Sequence, residues 1–509
     1  MTAIITREAP QSQGIPKKRP YTARGLALAA GPALALLTFV LLPDSLAMEP
    51  RLLAGVAILM AVWWMTEAIP IPATSLLPVI LFPVLGIAEV GPTAAPYANS
   101  IVFLILGGTL LGLGVQKWEL HRRIALITIS FFGTKPPQII FGLMVSSAFI
   151  SAWVSNTATA VIMIPIALSI IKLVNEASGR TNVKFAASAL LGVAYAITIG
   201  GFATLIGQPV NPLLVAYLQE TFDITISFGH WMLLGIPFSV IFLVAAWFVL
   251  TFLVYRVKSN IVEGGSELFR NELTSLGKTS QEEKKVIAVF LIAVFGWLIL
   301  PFIARIPQVA EALPFLGRIE DASIAVFVGF LLFLIPTSSE GKAKSGDKSI
   351  LVWKDAVDLP WGVLLLIGGG MALSTQITGT GLAAWIGEQM SGLGGLPPFA
   401  ILMVVTLVLI LITELTSNTA TAAAFFPVMG ALAVGIGIDP LLMTVVVSMA
   451  IMCAFMLPVA TPSNAVAFAT GELPIRQMVR TGIWMNMLGL IITAAATVTL
   501  VPLVFGVSL

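Results

Sequence analysis

One short polar sequence occurs twice, each time inside a long apolar run. Ser-Asn-Thr-Ala-Thr-Ala fills residues 155–160 and again residues 417–422, and a hydroxyl residue stands four positions before each copy, as Ser151 and Thr413. Hydroxyl, amide and carbonyl oxygens are hard ligands of the kind that alkali and alkaline-earth cations take in proteins. The residue types therefore indicate cation binding.

A second pair of matched sequences follows the first pair in the same order. Gly-Gln-Pro-Val-Asn fills residues 207–211 and Ala-Thr-Pro-Ser-Asn fills residues 460–464, both within apolar runs. A proline also follows the asparagine of each Ser-Asn-Thr copy at the same distance, as Pro165 and Pro427. Two matched pairs predict an internal repeat in which each half holds a polar hairpin tip and then a broken helix. An isolated cluster would more readily be explained as polar residues that hold neighbouring helices together by hydrogen bonds.

The predicted hairpin tips offer two kinds of binding group. The helix before a turn ends in free carbonyls with a partial negative charge, and the helix after it begins with free N–H groups with a partial positive charge. The carbonyls and side-chain oxygens suit Na⁺, whereas the N–H groups and hydroxyls suit a carboxylate or another oxyanion. Neither the clusters nor the breaks contain Lys, Arg or His. A dianion held there would need bound cations to neutralise it, which favours cation coupling.

The composition of the chain requires a bilayer as its solvent. Hydrophobic residues make up 58% of the 509 residues and charged residues only 10%, whereas soluble domains carry roughly 25% charged residues. At about 20 apolar residues per span, roughly ten to twelve membrane segments fit. The single cysteine, Cys453, excludes an intrachain disulfide, and the two histidines lie far apart in sequence. We interpret the basic start and the apolar run after it as a retained first helix.

The distribution of basic residues predicts the orientation of the segments. With a cytoplasmic N-terminus and two re-entrant hairpins, 24 of the 27 Lys and Arg residues fall inside, and only Arg51, Arg305 and Arg318 fall outside. If either hairpin crossed the membrane, the basic loops after it would fall on the outer side, against the positive-inside rule. The charges therefore favour a first hairpin that enters from the cytoplasm and a second that enters from outside. That arrangement is an inverted-topology repeat.

We therefore expect an all-α polytopic protein of the cell (inner) membrane, with two re-entrant hairpins in an inverted repeat. In chain order the predicted parts are a cytoplasmic tail (1–22), a first transmembrane helix (23–50), a first repeat (51–256) with a hairpin (137–178) and a broken helix (183–222), a cytoplasmic linker (257–283), and a second repeat (284–509) with a hairpin (397–437) and a broken helix (440–472).

Three ionisable residues near these segments have alternative interpretations. Glu414 stands beside the second cluster, where the first repeat has Ala152. It either binds a cation or carries a proton, or it is a protonated or hydrogen-bonded structural group. Glu67 follows two tryptophans and is interpreted as an interfacial charge. His121 is interpreted as a solvated loop residue, because charged residues flank it.

The same motifs resemble those of the divalent anion/sodium symporter family, which includes the sodium/dicarboxylate cotransporters. The resemblance rests on the two Ser-Asn-Thr copies, the two proline-containing breaks, and Thr-Glu-Ala-Ile-Pro at residues 66–70. The order of apolar runs extends it over about residues 25–507. It implies a homodimer with about eleven transmembrane helices and two hairpins per chain. It also implies scaffold and transport domains that work by an elevator mechanism.

The resemblance also implies specific ligands, with Na⁺ as the coupling ion and a small dicarboxylate as the partner. By position, the first Na⁺ site would use Ser151, Ser155, Asn156 and Gly207, and the second would use Thr413, Ser417, Asn418 and Ala460. The substrate would contact Ser155, Asn156, Thr157, Pro209, Ser417, Asn418, Thr419, Thr461 and Pro462. Family members often have threonine where this chain has Gln208, so this longer amide is expected to affect substrate size or selectivity.

The function expected from these features is Na⁺-coupled import of C4-dicarboxylates such as succinate, malate or fumarate. An electroneutral dicarboxylate exchanger and a symporter of sulfate or another divalent oxyanion are the alternatives within transport. An intramembrane enzyme would need a nucleophile and base, or a motif such as His-Glu-x-x-His, and the sequence contains no such motif. A channel would not need an inverted repeat.

Overall fold

The computed structural model describes residues 21–178, 181–258, 274, 276–338, 348–390, 392 and 395–507. Residues 1–20 of the predicted tail, and residues 259–273 and 275 of the predicted linker, lie outside this described part. The described residues are almost entirely helical or turns, and their β pairing is one isolated bridge between Pro336 and Ser349. The expected all-α class is confirmed.

The helices of the first half of the chain are α1 (Tyr21–Leu41), α2 (Met48–Thr66), α3 (Ile71–Thr74), α4 (Leu77–Val84), α5 (Val90–Ala94), α6 (Ser100–Lys117), α7 (Leu120–Phe132), α8 (Pro136–Ser151), α9 (Asn156–Ser178), α10 (Val183–Gly201), α11 (Val210–Phe222) and α12 (Phe228–Phe248). A short 3₁₀ helix (Ala95–Ala98) precedes α6, and one π-helical segment (Val249–Val254) continues α12.

The helices of the second half are α13 (Gln281–Leu298), α14 (Leu300–Ile303), α15 (Pro307–Ala312), α16 (Asp321–Leu334), α17 (Trp361–Gly379), α18 (Leu382–Met390), α19 (Pro398–Thr413), α20 (Asn418–Ile436), α21 (Pro440–Met452), α22 (Pro462–Ala469), α23 (Ile475–Val498) and α24 (Leu500–Phe505). Two 3₁₀ helices (Pro314–Arg318 and Trp353–Asp358) lie on either side of α16.

Helix length and composition identify a multi-pass membrane protein. Within the described residues, nine helical segments are long and apolar enough to cross a bilayer, and five shorter apolar helices accompany them. Both helices that precede the tips, α8 and α19, belong to the shorter group. Because these criteria identify nine spans, the figure of about eleven stays a prediction, as do the domain boundaries.

Turn chemistry explains why the chain turns where it does around the second hairpin. Pro398 occupies the first turn of α19, where its missing N–H is not needed;. α20 ends at Gly437, whose φ of 74° lies in the left-handed region that favours glycine;. The Asp439 side chain then accepts a hydrogen bond from the Leu441 N–H and caps α21, which starts at Pro440;. The hairpin thus begins at a proline and ends at a glycine, and the aspartate that follows begins the next helix.

Helix packing interleaves the two repeats. The first helix of each hairpin packs against the helix before the break of its own repeat, so α8 contacts α10 and α19 contacts α21. The second helix of each hairpin contacts the half-helix after the break of the other repeat, so α9 contacts α22 and α20 contacts α11. Each tip is therefore built from both halves of the chain.

Glycines allow close approach at two matched places, Gly107 and Gly369, which stand 262 positions apart like the two Ser-Asn-Thr copies. A methyl group at Gly107 in α6 would lie 2.2 Å from the Ala325 carbonyl, and one at Gly369 in α17 would lie 2.2 Å from the Ser75 carbonyl oxygen. No side chain fits at such distances. α6 therefore packs on the backbone of α16, and α17 packs on the backbone at the end of α3, as small residues permit in membrane proteins;.

The interpretation of His121 as a solvated loop residue was wrong. His121 lies in the first turn of α7 and is 5% exposed. Its Nδ1 is 3.1 Å from the Val115 carbonyl, which can only accept, so Nδ1 carries the donated hydrogen;. The neighbouring charges concealed an amphipathic helix, whose other face buries Leu126 and Ile129.

Candidate functional site: two matched tips and breaks

The two hairpin tips have the same length and the same boundaries. The first tip, residues 152–155, separates α8 from α9, and the second tip, residues 414–417, separates α19 from α20. In each case the helix before the tip ends on the hydroxyl residue and the helix after it begins on asparagine. The repeated sequence therefore folds into a repeated structure.

Each tip contains the same contact between a hydroxyl and an amide oxygen. The Ser151 hydroxyl lies 2.6 Å from Asn156 Oδ1 and 2.8 Å from the Ile197 carbonyl oxygen. The Thr413 hydroxyl lies 2.7 Å from Asn418 Oδ1 and 3.1 Å from the Ile451 carbonyl oxygen.

A hydroxyl group has one hydrogen and cannot donate to two acceptors at full strength. Each tip therefore brings three oxygen atoms together with a single hydrogen between them. Ser151 and Thr413 are both fully buried. A buried group of oxygens that is short of donors is an arrangement that a bound cation would stabilise.

The first break, residues 202–209, lies beside the first tip. A methyl group at Gly201 would lie 2.9 Å from Asn156 Oδ1 and 3.2 Å from the Gly207 carbonyl oxygen, so both oxygens border one small space. The Thr204 hydroxyl joins the two segments, because it donates to the Ala152 carbonyl and accepts from the Gly207 N–H. The structure therefore brings Asn156 and Gly207 together, as the predicted first Na⁺ site requires.

One asparagine holds each break in the same way. Asn211 Nδ2 donates to the carbonyls ten and seven positions before it, at 3.0 Å to Gly201 and 2.7 Å to Thr204. Asn464 Nδ2 donates to the carbonyls at the same spacings, at 3.1 Å to Ala454 and 3.2 Å to Leu457. These are carbonyls that an interrupted helix leaves without partners.

Gln208 gives the two breaks different chemistry. Its Nε2 donates to Asn211 Oδ1 at 3.2 Å. The second repeat has Thr461 at this position, and its hydroxyl instead accepts from the Asn464 N–H at 3.2 Å. The Asn464 Oδ1 atom is buried without a hydrogen-bond partner.

Glu414 joins the second tip to the second break, residues 453–461. Its carboxylate accepts hydrogen bonds from the backbone N–H groups of Phe455, Met456 and Leu457, at 2.8 to 3.1 Å. Asn486 in α23 donates a further bond of 2.7 Å. Of the alternatives left open for Glu414, these contacts favour a hydrogen-bonded structural group.

The predicted substrate residues are more accessible than the buried hydroxyls. Ser155, Thr157 and Pro462 are exposed and Thr461 is buried, as is Ala460 of the predicted second Na⁺ site. The remaining substrate positions are half-buried, namely Asn156, Pro209, Ser417, Asn418 and Thr419. A pocket at the tips would therefore present hydroxyls and amides at its surface, with the oxygen clusters below them.

Contacts of α10 with the second break and with α22 connect the two halves of the site. The Tyr195 hydroxyl in α10 donates to the Phe455 carbonyl at 2.9 Å, and the hydroxyls of Thr198 and Ser463 are 3.3 Å apart. Within the described residues, no three His, Cys, Asp or Glu side chains gather to hold a metal. The oxygens of the two clusters belong to hydroxyl, amide and carbonyl groups, and all of them are neutral.

Sequence reasoning missed three contributors to this site. Asn486 was missed because it is a lone amide in an apolar helix, 72 residues from its partner Glu414. Thr204 was missed because the matched sequences begin three residues later, at Gly207. Tyr195 was missed because nothing in the repeat marks it. The isolated polar residue in an apolar run was a usable signal for Asn486.

Comparison with known proteins identifies relatives over nearly the whole chain. The sodium-dependent dicarboxylate transporter SdcS of Staphylococcus saprophyticus is 41% identical over 486 residues, covering 94% of this chain and 92% of that protein. The protein of the same name from Staphylococcus aureus strain USA300 is 39% identical over 500 residues, covering 97% and 94%.

Two solved structures share the fold at low sequence identity. The Alcanivorax borkumensis YdaH transporter aligns with a TM-score of 0.59 and 16% identity, covering 90% of this chain and 98% of that one. Neisseria gonorrhoeae MtrF aligns with a TM-score of 0.57 and 14% identity, covering 95% of each chain. Residues 26–507 match the family described as the sodium:sulfate symporter transmembrane region. This chain therefore belongs to the sodium:sulfate symporter family, as its resemblance to the divalent anion/sodium symporters predicted.

Proposed function

We propose that this chain imports C4-dicarboxylates such as succinate, malate or fumarate by Na⁺ symport. The observation that carries the proposal is the buried oxygen cluster at each tip, where one hydroxyl hydrogen faces two acceptors. The names of the SdcS relatives support the same cation and the same class of substrate.

The first Na⁺ site in this proposal consists of Ser151, Ser155, Asn156 and Gly207, and the second consists of Thr413, Ser417, Asn418 and Ala460. The position of Asn156 Oδ1 and the Gly207 carbonyl oxygen on either side of the same small space at Gly201 supports the first set. The matching Thr413–Asn418 contact supports the second. Cations at both places would supply the positive charge that the neutral side chains do not.

The dicarboxylate in this proposal lies between the tips, where exposed and half-buried polar groups are available. It would contact Ser155, Asn156, Thr157, Pro209, Ser417, Asn418, Thr419, Thr461 and Pro462. The first turns of α9 and α20 begin at Asn156 and Asn418, so each tip offers free N–H groups to one carboxylate;. Two tips match the two charged ends of a dicarboxylate.

The family resemblance supports the remaining parts of the proposal. The chain would act as a homodimer of about eleven spanning helices per subunit, in the cell (inner) membrane with its N-terminus in the cytoplasm. One domain would move as an elevator against a fixed scaffold. The interleaved packing of the repeats supports motion of tips and breaks as one unit, since α9 contacts α22 and α20 contacts α11.

Uptake of labelled succinate into proteoliposomes tests this function. We expect uptake under an inward Na⁺ gradient and only background uptake when K⁺ replaces Na⁺ on both sides. Uptake that ignores Na⁺ but requires internal dicarboxylate would reject symport in favour of exchange. Strong competition by sulfate, with little by malate or fumarate, would reject the dicarboxylate assignment in favour of a sulfate symporter.

A further inference from the structure

Glu414 is the acidic residue closest in sequence to either oxygen cluster, and it is only 2% exposed. It directly follows Thr413, whose hydroxyl contacts Asn418 Oδ1. Its carboxylate bonds the Phe455 N–H, four residues after Ile451, whose carbonyl oxygen contacts the Thr413 hydroxyl, so the carboxyl group lies beside the segment that completes the second cluster. The function proposed above assigns it no role.

The hydrogen bonds around Glu414 fit the acceptor pattern of a carboxylate. Oε1 accepts from the N–H groups of Phe455 and Met456 and from Asn486 Nδ2, and Oε2 accepts from the N–H groups of Met456 and Leu457. The Phe455 N–H is shared, at 2.8 Å from Glu414 Oε1 and 3.3 Å from Asn486 Oδ1. All four bonded partners are donors. The donor set therefore matches a carboxylate.

The first repeat performs the same connection without charge. Its residue at the position of Glu414 is Ala152, whose backbone carbonyl accepts from the Thr204 hydroxyl. No acidic residue occurs in the first tip or the first break. The two oxygen clusters therefore have matching ligands but different electrostatic surroundings.

We propose that Glu414 is a positioning residue that fixes the second break against the second tip and makes the second oxygen cluster bind its cation more tightly than the first. This inference rests on the proposed function, because it assumes that both clusters bind Na⁺. The carboxylate attracts a nearby cation through space, and the three backbone N–H groups that it accepts from hold the break beside Thr413. The second cluster then fills at a lower Na⁺ concentration than the first.

Equilibrium binding of radiolabelled Na⁺ to the purified full-length protein tests the order of affinities. We expect two classes of site that differ in affinity by about tenfold, within the range of effect that one nearby charge has at an effective dielectric constant of about 20. Ser151→Ala should remove the weaker class, and Thr413→Ala should remove the tighter class. The reverse assignment would overturn the proposal.

Variants of Glu414 separate its charge from its structural role. Glu414→Gln should weaken the tighter class about tenfold and leave the weaker class unchanged. The double variant Glu414→Gln/Asn486→Asp returns one negative charge to the same group of side chains, and it should restore the affinity to within about threefold of the original. A merely structural role would lower the folded fraction of both variants without restoring Na⁺ affinity in the second.

A control variant and two distinct outcomes separate the role of Glu414 from the proposed function. Glu472 is exposed, so Glu472→Gln makes the same chemical change without affecting either class. If the unaltered protein bound no Na⁺, the proposed function itself would fail. If it bound Na⁺ in two classes and neither the Glu414→Gln protein nor the double variant changed the tighter one, the function would stand and the role of Glu414 would be rejected.

Discussion

The first and second breaks hold the same turn of the chain with different groups. Both use an asparagine that donates to carbonyls ten and seven positions earlier. In the first, the hydroxyl of Thr204 joins break to tip, and Gln208 completes the bonds of Asn211. In the second, the Glu414 carboxylate joins break to tip by accepting hydrogen bonds from the Met456 and Leu457 N–H groups.

What the repeats share and where they differ have separate meanings. The buried hydroxyl next to an asparagine oxygen occurs in both halves at nearly equal distances, 2.6 and 2.7 Å. A feature that survives in two copies with opposite predicted orientation is suited to the common task of binding a cation. The group that connects tip and break is neutral in the first repeat and a carboxylate in the second. This difference is suited to giving the two oxygen clusters unequal affinity for a cation.

The largest expected effect comes from the asparagines that both repeats share. Asn156→Ala or Asn418→Ala should lower Na⁺-dependent uptake about 100-fold, because loss of one ligand to a buried cation costs about 3 kcal/mol. Uptake of labelled succinate into proteoliposomes measures the loss. Asn99→Ala removes only the helix cap that Asn99 provides to Ile101, so it should keep Na⁺-dependent uptake;. Normal uptake by either site variant, in folded protein, would reject the matched cation sites.

The sequence predicted the parts of this comparison that lie in local motifs. The motif occurs twice in the sequence, and this repetition identified Ser151, Asn156, Thr413 and Asn418. The connection of Glu414 to Asn486 was not predicted, because it spans 72 residues and depends on how α23 packs. Contacts of this kind depend on tertiary packing, so they cannot be read directly from a single sequence.

The matched glycines should show the next largest effect. Gly107→Ala and Gly369→Ala should each destabilise the fold by about 1 to 3 kcal/mol or more, since each methyl would overlap backbone atoms 2.2 Å away;. The yield of monodisperse protein and the apparent Tm in detergent measure this loss. Gly91 has open space around it, so Gly91→Ala is the matched control and should change neither quantity. An unaltered Tm for Gly107→Ala would show that α6 and α16 do not need this close approach.

The asparagines of the two breaks should differ in their effect. Asn211→Ala leaves two carbonyls and the Gln208 amide without partners, whereas Asn464→Ala leaves only two carbonyls. Unpaired buried groups cost about 1 to 3 kcal/mol each, so Asn211→Ala should lower the apparent Tm more. Adding Gln208→Ala to Asn211→Ala should cost little further, because their shared bond is already lost. Equal Tm losses for the two asparagine variants would contradict the difference between the breaks.

The smallest expected effect belongs to Gln208, and it separates a role in the fold from a role in selectivity. Gln208 is 4% exposed and its amide is bonded to Asn211, so its side chain is committed to the break. Gln208→Ala should destabilise the protein by about 1 kcal/mol. Gln208→Thr should cost less, about 0.5 kcal/mol, because a threonine hydroxyl can accept from the N–H three residues later, as Thr461 does for Asn464;.

Competition of unlabelled succinate, sulfate and a longer dicarboxylate against labelled succinate measures the selectivity of the same two variants. We expect the order of competitors to stay as in the unaltered protein, because Asn211 rather than a bound anion receives the Gln208 amide. A changed order in the Gln208→Thr protein at unchanged Tm would mean that the amide reaches the substrate during transport. The difference between the breaks would then concern the substrate and not only the stability of the turn.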